Sequence, residues 1–302
     1  MRDYQYLHLD VFTDTPFEGN QLAVFPDGRG LEPTTMQSIA REMNYSESTF
    51  ILPAENRGDV RMRIFTPYSE LPMAGHPTVG STFALAHTGK IARGRDEFVF
   101  ELGVGPTPVE LEWDGPVLSF AWMTQQRPQF GRSPSDLAAL AGALGVEASD
   151  LADGPPPQEV SCGVPFFFAR LATRRAVDAA EADRRRLISF FERHGLPELP
   201  TFIFTTEAGT PEATCYSRMF AGGFGITEDP ATGGASGPLG CYLVHHGVLT
   251  PEQGRSLVSL QGRKMGRPSW IHIEIGTTAG AINRVRVGGR SVLVGEGTLR
   301  VP

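Results

Sequence analysis

The strongest constraint on the fold is an internal repeat that spans both halves of the 302-residue chain. In each half a strand-like run is followed by a polar loop, a proline and an apolar helix that closes at a glycine. The matching residues are Arg63 and Arg218, Pro77 and Pro230, and Gly89 and Gly247. Proline suits the first position of a helix, because its missing N–H would be unpaired there anyway. The alignment therefore predicts a duplicated domain in which each buried helix begins at its proline.

The same alignment places two polar side chains at equivalent helix starts, because His76 precedes one proline and Asp229 precedes the other. A helix N-terminus offers free N–H groups and the positive end of the helix dipole to an anion. We therefore expect an anion site between the two halves, suited to the negative charge left when a proton is removed beside a carboxylate. Helix capping is the alternative explanation for both residues. A third candidate, Glu47, follows a helix, where an exposed turn glutamate is the ordinary case.

The remaining patterns indicate an α+β protein. The apolar spacing across residues 36–43 predicts an amphipathic helix, and residues 79–86 are apolar on nearly every side, which is typical of a buried helix. The polar stretch 125–134 contains two prolines and is the expected crossover between domains. The predicted strands are residues 6–12, 22–25, 60–65, 98–102, 109–113 and 117–123.

Composition and charge exclude several classes of function. The net charge is −7, and the densest basic run, residues 184–186, lies among acidic residues on a predicted helix, so we expect no nucleic-acid partner. No apolar stretch approaches the roughly 20 residues of a membrane span. The three cysteines, Cys162, Cys215 and Cys241, lack the spacing of a metal site. Because the N-terminal residues run directly into a strand pattern, we expect no signal peptide. The odd, sparse set of cysteines is typical of a reducing compartment, so we expect a cytoplasmic protein.

Several long motifs follow one another in a fixed order from about residue 5 to the C-terminus. They are residues 39–50 (IAREMNYSESTF), 63–67 (RIFTP), 70–80 (ELPMAGHPTVG), 218–220 (RMF) and 228–233 (EDPATG), together with Gly19-Asn20, Gln261-Gly262 and residues 266–269 (GRPS). In this combination they resemble the phenazine-biosynthesis isomerase (PhzF-like) family.

The resemblance implies the fold of diaminopimelate epimerase, which has two pseudo-symmetric lobes. Each lobe wraps a curved, mostly antiparallel sheet around one central helix, in agreement with the repeat. We expect an N-terminal lobe at residues 1–125, completed by a C-terminal strand at about 288–302. The C-terminal lobe then comprises residues 126–287.

By the same resemblance, Glu47 would be the general acid/base that takes a proton from one substrate carbon and returns it to another. His76 and Asp229 would bind the substrate and help to protonate or orient it. The family's type member isomerises trans-2,3-dihydro-3-hydroxyanthranilate, so the resemblance implies a small carboxylate substrate and no cofactor or metal. Family members commonly form homodimers. The residues expected to line the substrate pocket are Asn20, Ser46, Gly75, Thr232, Gly233 and Gly234.

One position departs from the family pattern and two alternatives stay open. Gly234 stands where family members usually carry a serine that would contact the substrate carboxylate, although Ser236 follows two residues later. The first alternative is a cofactor-independent amino-acid racemase or epimerase of the two-base type. Such enzymes carry paired cysteines at the helix starts, where this chain has His76 and Thr232, and Cys241 lies inside the second helix. The second alternative is a non-catalytic protein that binds a small acid.

Overall fold

The structure is a computed structural model that describes residues 1–301, so Pro302, the last residue of the predicted C-terminal strand, lies outside the described residues. Contacts divide the chain into two compact units. Unit 1 comprises Met1–Gln125 and the C-terminal segment from Arg286, and unit 2 comprises Gln126–Val285. Each unit combines a β-sheet with a buried helix, and the predicted α+β class is confirmed.

The elements follow one another in a similar order in both units. From the N-terminus they are β1 (Arg2–Val11), β2 (Asn20–Phe25), α1 (Pro33–Met43), β3 (Glu47–Pro53), β4 (Val60–Phe65), β5 (Glu70–Leu71), α2 (Gly75–His87), β6 (Glu97–Leu102), β7 (Gly105–Asp114) and β8 (Val117–Thr124). They continue with β9 (Gln129–Phe130), α3 (Leu137–Leu144), β10 (Gln158–Ser161), β11 (Pro165–Arg170), α4 (Arg174–Ala179), α5 (Arg184–Arg193), β12 (Thr201–Thr205), β13 (Cys215–Ala221), β14 (Ile226–Asp229), α6 (Gly233–His245), β15 (Leu257–Gln261), β16 (Ser269–Thr278), β17 (Ala281–Gly289) and β18 (Ser291–Val301).

The sheet of unit 1 is mostly antiparallel and surrounds α2. Strands β18, β1 and β2 pair antiparallel, and β2 then pairs parallel with β3 because α1 carries the chain across between them. Strand β3 pairs with β4, whose other edge is shared by β5 and β6. Strands β6, β7 and β8 continue the sheet, and β17 adds to β8. Helix α2 contacts β1, β2, β3, β8 and β18, so the sheet curves around it.

Helix α2 is buried on nearly all sides, as predicted for residues 79–86. Its hydroxyl groups are satisfied inside the unit, which a buried helix requires. The Ser81 hydroxyl bonds to the Thr49 hydroxyl of β3 at 2.9 Å. The hydroxyl groups of Thr78 and Thr82 donate to backbone carbonyl oxygens four residues earlier. Polar residues on α2 therefore do not give it a solvent-facing side.

Unit 2 repeats the plan of unit 1 with a longer crossover. Strands β9, β10 and β11 pair antiparallel, with α3 between β9 and β10, and β11 pairs parallel with β12 after α4 and α5. Strand β12 pairs with β13, whose other edge is shared by β14 and β15, and β15 pairs with β16. Helix α6 contacts β10, β11 and β16, which lie toward opposite ends of this sheet, so one face of the sheet curves around it. The crossover helices cover the other face, where Phe167, Phe190 and Phe191 form part of the core.

The predicted repeat is present, but its predicted register at the helix starts is wrong. Both central helices begin at a glycine, Gly75 in α2 and Gly233 in α6, and neither begins at a proline. Pro77 is the third residue of α2, whereas Pro230 precedes α6 altogether.

A difference in loop length explains the error. Arg63 forms a bidentate ion pair with a glutamate seven residues later, and Arg218 forms the same pair with a glutamate ten residues later. Beyond this insertion the two copies run in step to the helix ends. The pairs then are Glu70 and Glu228, Leu71 and Asp229, Pro72 and Pro230, Gly75 and Gly233, and His76 and Gly234. His76 and Asp229 are therefore not equivalent, contrary to the prediction.

Gly80 lets α2 approach the sheet closely, because a Cβ there would lie 2.6 Å from side-chain carbons of Leu22 and Val11. We expect Gly80→Ala to lower the free energy of unfolding by about 1–3 kcal/mol, since overpacking outweighs the gain in helix propensity. Gly142→Ala in α3 is the matched control, because no described atom lies within 4 Å of its added Cβ. That change should stabilise by up to about 1 kcal/mol. Urea unfolding measures both, and effects of the same sign would contradict this packing.

Candidate active site

Three of the predicted site residues lie together in unit 1. Asn20 is the first residue of β2, Glu47 is the first residue of β3, and His76 is the second residue of α2. Because β2 and β3 run parallel, with Leu22 opposite Glu47, the two strand starts lie at the same end of the sheet. All three side chains are buried, and Glu47 is only 7% exposed.

The ordinary explanation of Glu47, an exposed turn residue, is wrong. Helix α1 ends at Met43, and its C-cap Asn44 has the left-handed φ of 52°, so the chain has already turned into β3 at Glu47. Successive residues of a strand face opposite sides of the sheet. Glu47 and Thr49 contact residues of α2, whereas Phe50 packs in the cluster that contains α1. The strand therefore directs the Glu47 carboxyl group toward the central helix.

The imidazole of His76 lies between the other two side chains. Its Nε2 is 3.2 Å from Oε2 of Glu47, and its Nδ1 is 3.2 Å from Nδ2 of Asn20. An amide nitrogen only donates, so this contact uses Nδ1 as the acceptor. The other ring nitrogen, Nε2, is the one that faces Glu47.

Burial lowers the pKa of His76 from 6.5 to about 3, because the protonated ring would lose its hydration. A hydrogen bond with the backbone of Gln21 opposes this shift without cancelling it. The imidazole is therefore neutral near pH 7, even though a carboxyl group lies beside it. The neutral ring can accept the hydrogen bond from Asn20 and lies beside Glu47 without placing a second charge in this buried set.

Ser46 and Gly75 flank this set. Ser46 directly precedes β3 and is half-buried, and Gly75 is the buried first residue of α2. The N-cap position of α2 is Ala74, so His76 is not the helix cap that the sequence left open. Within residues 1–301 no side chain caps this helix. The N–H groups of its first turn are therefore suited to bind an acceptor atom of a ligand.

The predicted residues of unit 2 form a second set. Asp229 is the last residue of β14, and Thr232 is the N-cap of α6. The Thr232 hydroxyl donates a 2.6 Å hydrogen bond to Oδ2 of Asp229, whose side chain is buried. Asp229 is therefore not the N-cap residue of α6, because that position is Thr232.

One member of this second set was missed by the sequence analysis. Gln261, the last residue of β15, hydrogen-bonds through its amide to both Asp229 and Thr232. The available signal was the Gln261-Gly262 pair, which belongs to one of the family motifs. A buried amide can be assigned to partners only when the strand that carries it has been placed, and no pattern in the sequence indicated β15.

Gly233 and Gly234 are the first two residues of α6, and both are buried. Ser236 does not replace the missing serine at position 234. Its hydroxyl is fully buried and donates to the backbone carbonyl of Thr232 at 2.9 Å, inside the first turn of the helix. The start of α6 therefore presents backbone groups and the Thr232 side chain, with no hydroxyl at position 234.

The cysteines do not form the pair that a two-base enzyme needs. Cys162, Cys215 and Cys241 are buried, and burial raises the pKa of Cys215 to about 12. Cys241 lies in the interior of α6, with its Sγ 3.9 Å from that of Cys162. The helix starts instead carry His76 and Gly234 at their second positions.

Two features of the described residues concern metal binding and the membrane. No group of three or more His, Cys, Asp or Glu side chains is arranged to hold a metal ion in the part of the chain that the structure describes. Among residues 1–301 no helix is both long and apolar enough to cross a membrane.

Known proteins resemble this chain along nearly its whole length. The model of the phenazine biosynthesis-like protein family (PhzC-PhzF) matches residues 9–297. A trans-2,3-dihydro-3-hydroxyanthranilate isomerase from Pseudomonas fluorescens is 37% identical over 297 residues, which cover 98% of this chain and 99% of that protein.

Two solved structures share the fold. The phenazine biosynthesis protein of the PhzF family from Bacillus anthracis superposes with a TM-score of 0.90 at 25% identity, covering 100% of both chains. A protein from Pseudomonas aeruginosa described as a predicted epimerase gives a TM-score of 0.81 at 32% identity, covering 99% of this chain and 100% of that one. The chain therefore belongs to the phenazine biosynthesis-like (PhzF) protein family, and it is an isomerase.

Proposed function

We propose that the substrate is trans-2,3-dihydro-3-hydroxyanthranilate or a closely related small carboxylate, and that Glu47 moves a proton between two of its carbons. The observation that carries this proposal is the buried Glu47 carboxyl group, 3.2 Å from an imidazole that burial keeps neutral. The relative from Pseudomonas fluorescens, named as an isomerase of this compound, supports the choice of substrate.

A single carboxyl group is sufficient for this reaction. Glu47 would accept the proton from one carbon as a carboxylate and return it to the other as a carboxylic acid, so the substrate is rearranged without gain or loss of atoms. A group that must act in both directions works best where water is excluded, because water would exchange the proton between the two steps. The low exposure of Glu47 meets this requirement.

We assign His76 and Asn20 to the support of Glu47. The neutral ring accepts from the Asn20 amide through Nδ1, and its Nε2 lies 3.2 Å from Oε2 of Glu47, so the ring packs against the carboxyl group without adding a charge to it. Because the proton of the ring stays in place near neutral pH, the reaction does not depend on a charged histidine.

We propose that Asp229 binds and orients the substrate in unit 2, and that Thr232, Gly233 and Gly234 take part in binding. The start of α6 is rich in backbone N–H groups, which bind carboxylates well. A glycine at position 234 leaves more room and one hydroxyl fewer than the serine usual in the family, which favours a substrate that differs from that of the type member near its carboxylate.

An epimerase is the second candidate, because one structural relative is described as a predicted epimerase. The two-thiol form of that mechanism has no support, since the described cysteines lie away from the helix starts. An epimerase that used Glu47 would return the proton to the carbon from which it came, whereas the proposed isomerase returns it elsewhere. The homodimer and the cytoplasmic location stay predictions.

Glu47→Gln should reduce turnover of trans-2,3-dihydro-3-hydroxyanthranilate in heavy water by at least about 100-fold and abolish deuterium incorporation, because the amide cannot carry the proton. Proton NMR of the product measures the rate and the labelled carbon together. Glu42→Gln is the matched control, because Glu42 lies on the exposed side of α1. A Glu47→Gln variant with wild-type turnover would exclude Glu47 as the acid/base, and deuterium only at the original carbon would identify an epimerase.

Asp229→Asn should lower kcat by about 100-fold or more, because the amide keeps the size of the side chain but loses its charge. Asp153→Asn, an exposed aspartate of the same unit, should leave kcat unchanged. Steady-state kinetics of the two variants provides the comparison. Equal kcat values for both would remove Asp229 from the reaction.

The neutral state of His76 predicts how stability depends on pH. Its pKa is about 3 in the folded protein and 6.5 when exposed, so between these values only the unfolded chain takes up the proton. Stability should therefore fall as the pH drops through this window. From pH 7 to pH 5, the free energy of unfolding of the wild type should fall by about 2 kcal/mol relative to that of His76→Gln.

Urea unfolding at both pH values measures this difference. His87→Gln, at the exposed C-terminal end of the same helix, is the control and should follow the wild type. A constant difference between wild type and His76→Gln would mean that folding leaves the pKa of His76 unchanged, and a change in favour of the wild type would mean that His76 is protonated in the folded state, as an ion pair with Glu47.

A further inference from the structure

We propose that Gln261 is a positioning residue, which directs the hydroxyl proton of Thr232 at Asp229 and so fixes the Asp229 carboxylate for the reaction. This inference rests on the role proposed above for Asp229. The structure places Gln261 at the end of β15 with its side chain fully buried.

Four hydrogen bonds join the three residues. Oε1 of Gln261 accepts from the backbone N–H of Thr232 at 3.0 Å. Its Nε2 donates to the backbone carbonyl of Asp229 at 2.7 Å and to the Thr232 hydroxyl oxygen at 2.9 Å. The Thr232 hydroxyl then donates to Oδ2 of Asp229 at 2.6 Å.

The direction of each bond is determined by the backbone partners. The N–H of Thr232 can only donate and the carbonyl of Asp229 can only accept, so the Gln261 amide has one possible orientation. Its nitrogen must therefore face the Thr232 hydroxyl as a donor. The hydroxyl has one proton, and with its oxygen already accepting from Gln261 that proton is directed at Asp229.

The turn after β15 holds Gln261 against this loop. Gly262 has a φ of 73°, and a Cβ on it would overlap the backbone oxygens of Pro230 and Arg267. Any side chain at this position would thus push the turn away from Pro230, the residue that follows Asp229. Strand β15 also pairs with β13, where Gln261 lies opposite Ser217. Gln261 is therefore held from both sides at a fixed distance from Asp229.

Unit 1 shows that the fold itself does not need these polar groups. In the other copy of the repeat, β6 ends at Leu102 and is followed by Gly103, whose Cβ would lie 2.8 Å from Cα of Pro72, just as Gly262 abuts Pro230. The residues that correspond to Asp229, Thr232 and Gln261 are Leu71, Ala74 and Leu102. The same backbone arrangement thus forms with three apolar side chains, so the polar network of unit 2 serves another purpose than folding.

The test compares Gln261→Leu, which introduces the residue found in unit 1, with Thr232→Val and the double variant. With trans-2,3-dihydro-3-hydroxyanthranilate as the probe, each single change should lower kcat by about 10- to 100-fold. The double variant should be no slower than the worse single variant, because Gln261 acts through Thr232. Gln253→Leu is the matched control, since the Gln253 Oε1 accepts from the N–H of Thr250 but its side chain is exposed. It should keep the wild-type kcat.

Gln261→Glu separates positioning from simple packing, because it keeps the size of the side chain. An ionised glutamate cannot donate to Thr232, whereas a protonated one can. The activity of this variant relative to wild type should therefore rise as the pH falls, while the deficit of Gln261→Leu should not change with pH. This variant also keeps the test open if Gln261→Leu does not fold.

Several results would overturn the inference. The first is a wild-type kcat in Gln261→Leu when Asp229→Asn is slow. The second is a loss of kcat in the double variant equal to the product of the two single losses. The third is an activity of Gln261→Glu, relative to wild type, that does not change with pH. Wild-type kcat in Asp229→Asn would instead refute the proposed role of Asp229. A crystal structure of Gln261→Leu gives an answer that does not depend on the substrate. We expect the Asp229 carboxylate to leave the Thr232 hydroxyl, and an unchanged 2.6 Å contact would contradict us.

Discussion

The whole structure depends on two helices that have no polar face. Helices α2 and α6 are buried nearly throughout, so each must be surrounded by a sheet rather than laid against one. The first turn of each helix is buried together with its middle, whereas the C-terminal end of each helix, at His87 and His245, is exposed. The N–H groups at a buried helix start need acceptors. A structural necessity thus creates a place where a small acid can bind.

The scaffold occurs twice, and the polar side chains at the helix starts differ between the two copies. Unit 1 carries Glu47, His76 and Asn20, whereas the second residue of the helix in unit 2 is Gly234. Unit 2 carries the network of Asp229, Thr232 and Gln261, whereas the same positions in unit 1 are apolar. Each copy keeps the shared arginine–glutamate pair beside the strand. The arginine–glutamate pairs thus belong to the shared fold, whereas the residues that differ between the copies are those to which we assign roles in the proposed reaction.

Much of the fold could be predicted from the sequence because its signals are local. The apolar run 79–86 and the alternation in residues 60–65 belong to single elements, and both predictions agree with the structure. The helix starts could not be placed correctly, because the second copy has a longer loop before its helix. The arginine–glutamate pairs, seven residues apart in unit 1 and ten in unit 2, reveal this insertion only when the strands have been placed. Glu47 was recognised only through the family motif, since nothing in its neighbours shows that a strand begins there. Gln261 could not be predicted as a site residue, because its contacts join residues about 30 positions apart and no pattern in a single sequence indicates them.

The parallel pairing of β2 with β3 has a consequence for how this protein can vary. Side chains alternate between the faces of a strand, so a shift of β3 by one position would turn Glu47 toward α1 and bring Ser48 to His76. A shift of that size would keep the strand and most of its hydrogen bonds, yet it would remove the carboxyl group from the imidazole. The crossover through α1 is free to lengthen or shorten by any number of residues, provided that the strand after it enters the sheet in step. Insertions in the loop before Glu47 can thus have any length, whereas a shift of β3 by an odd number of residues would turn Glu47 to the other face of the sheet.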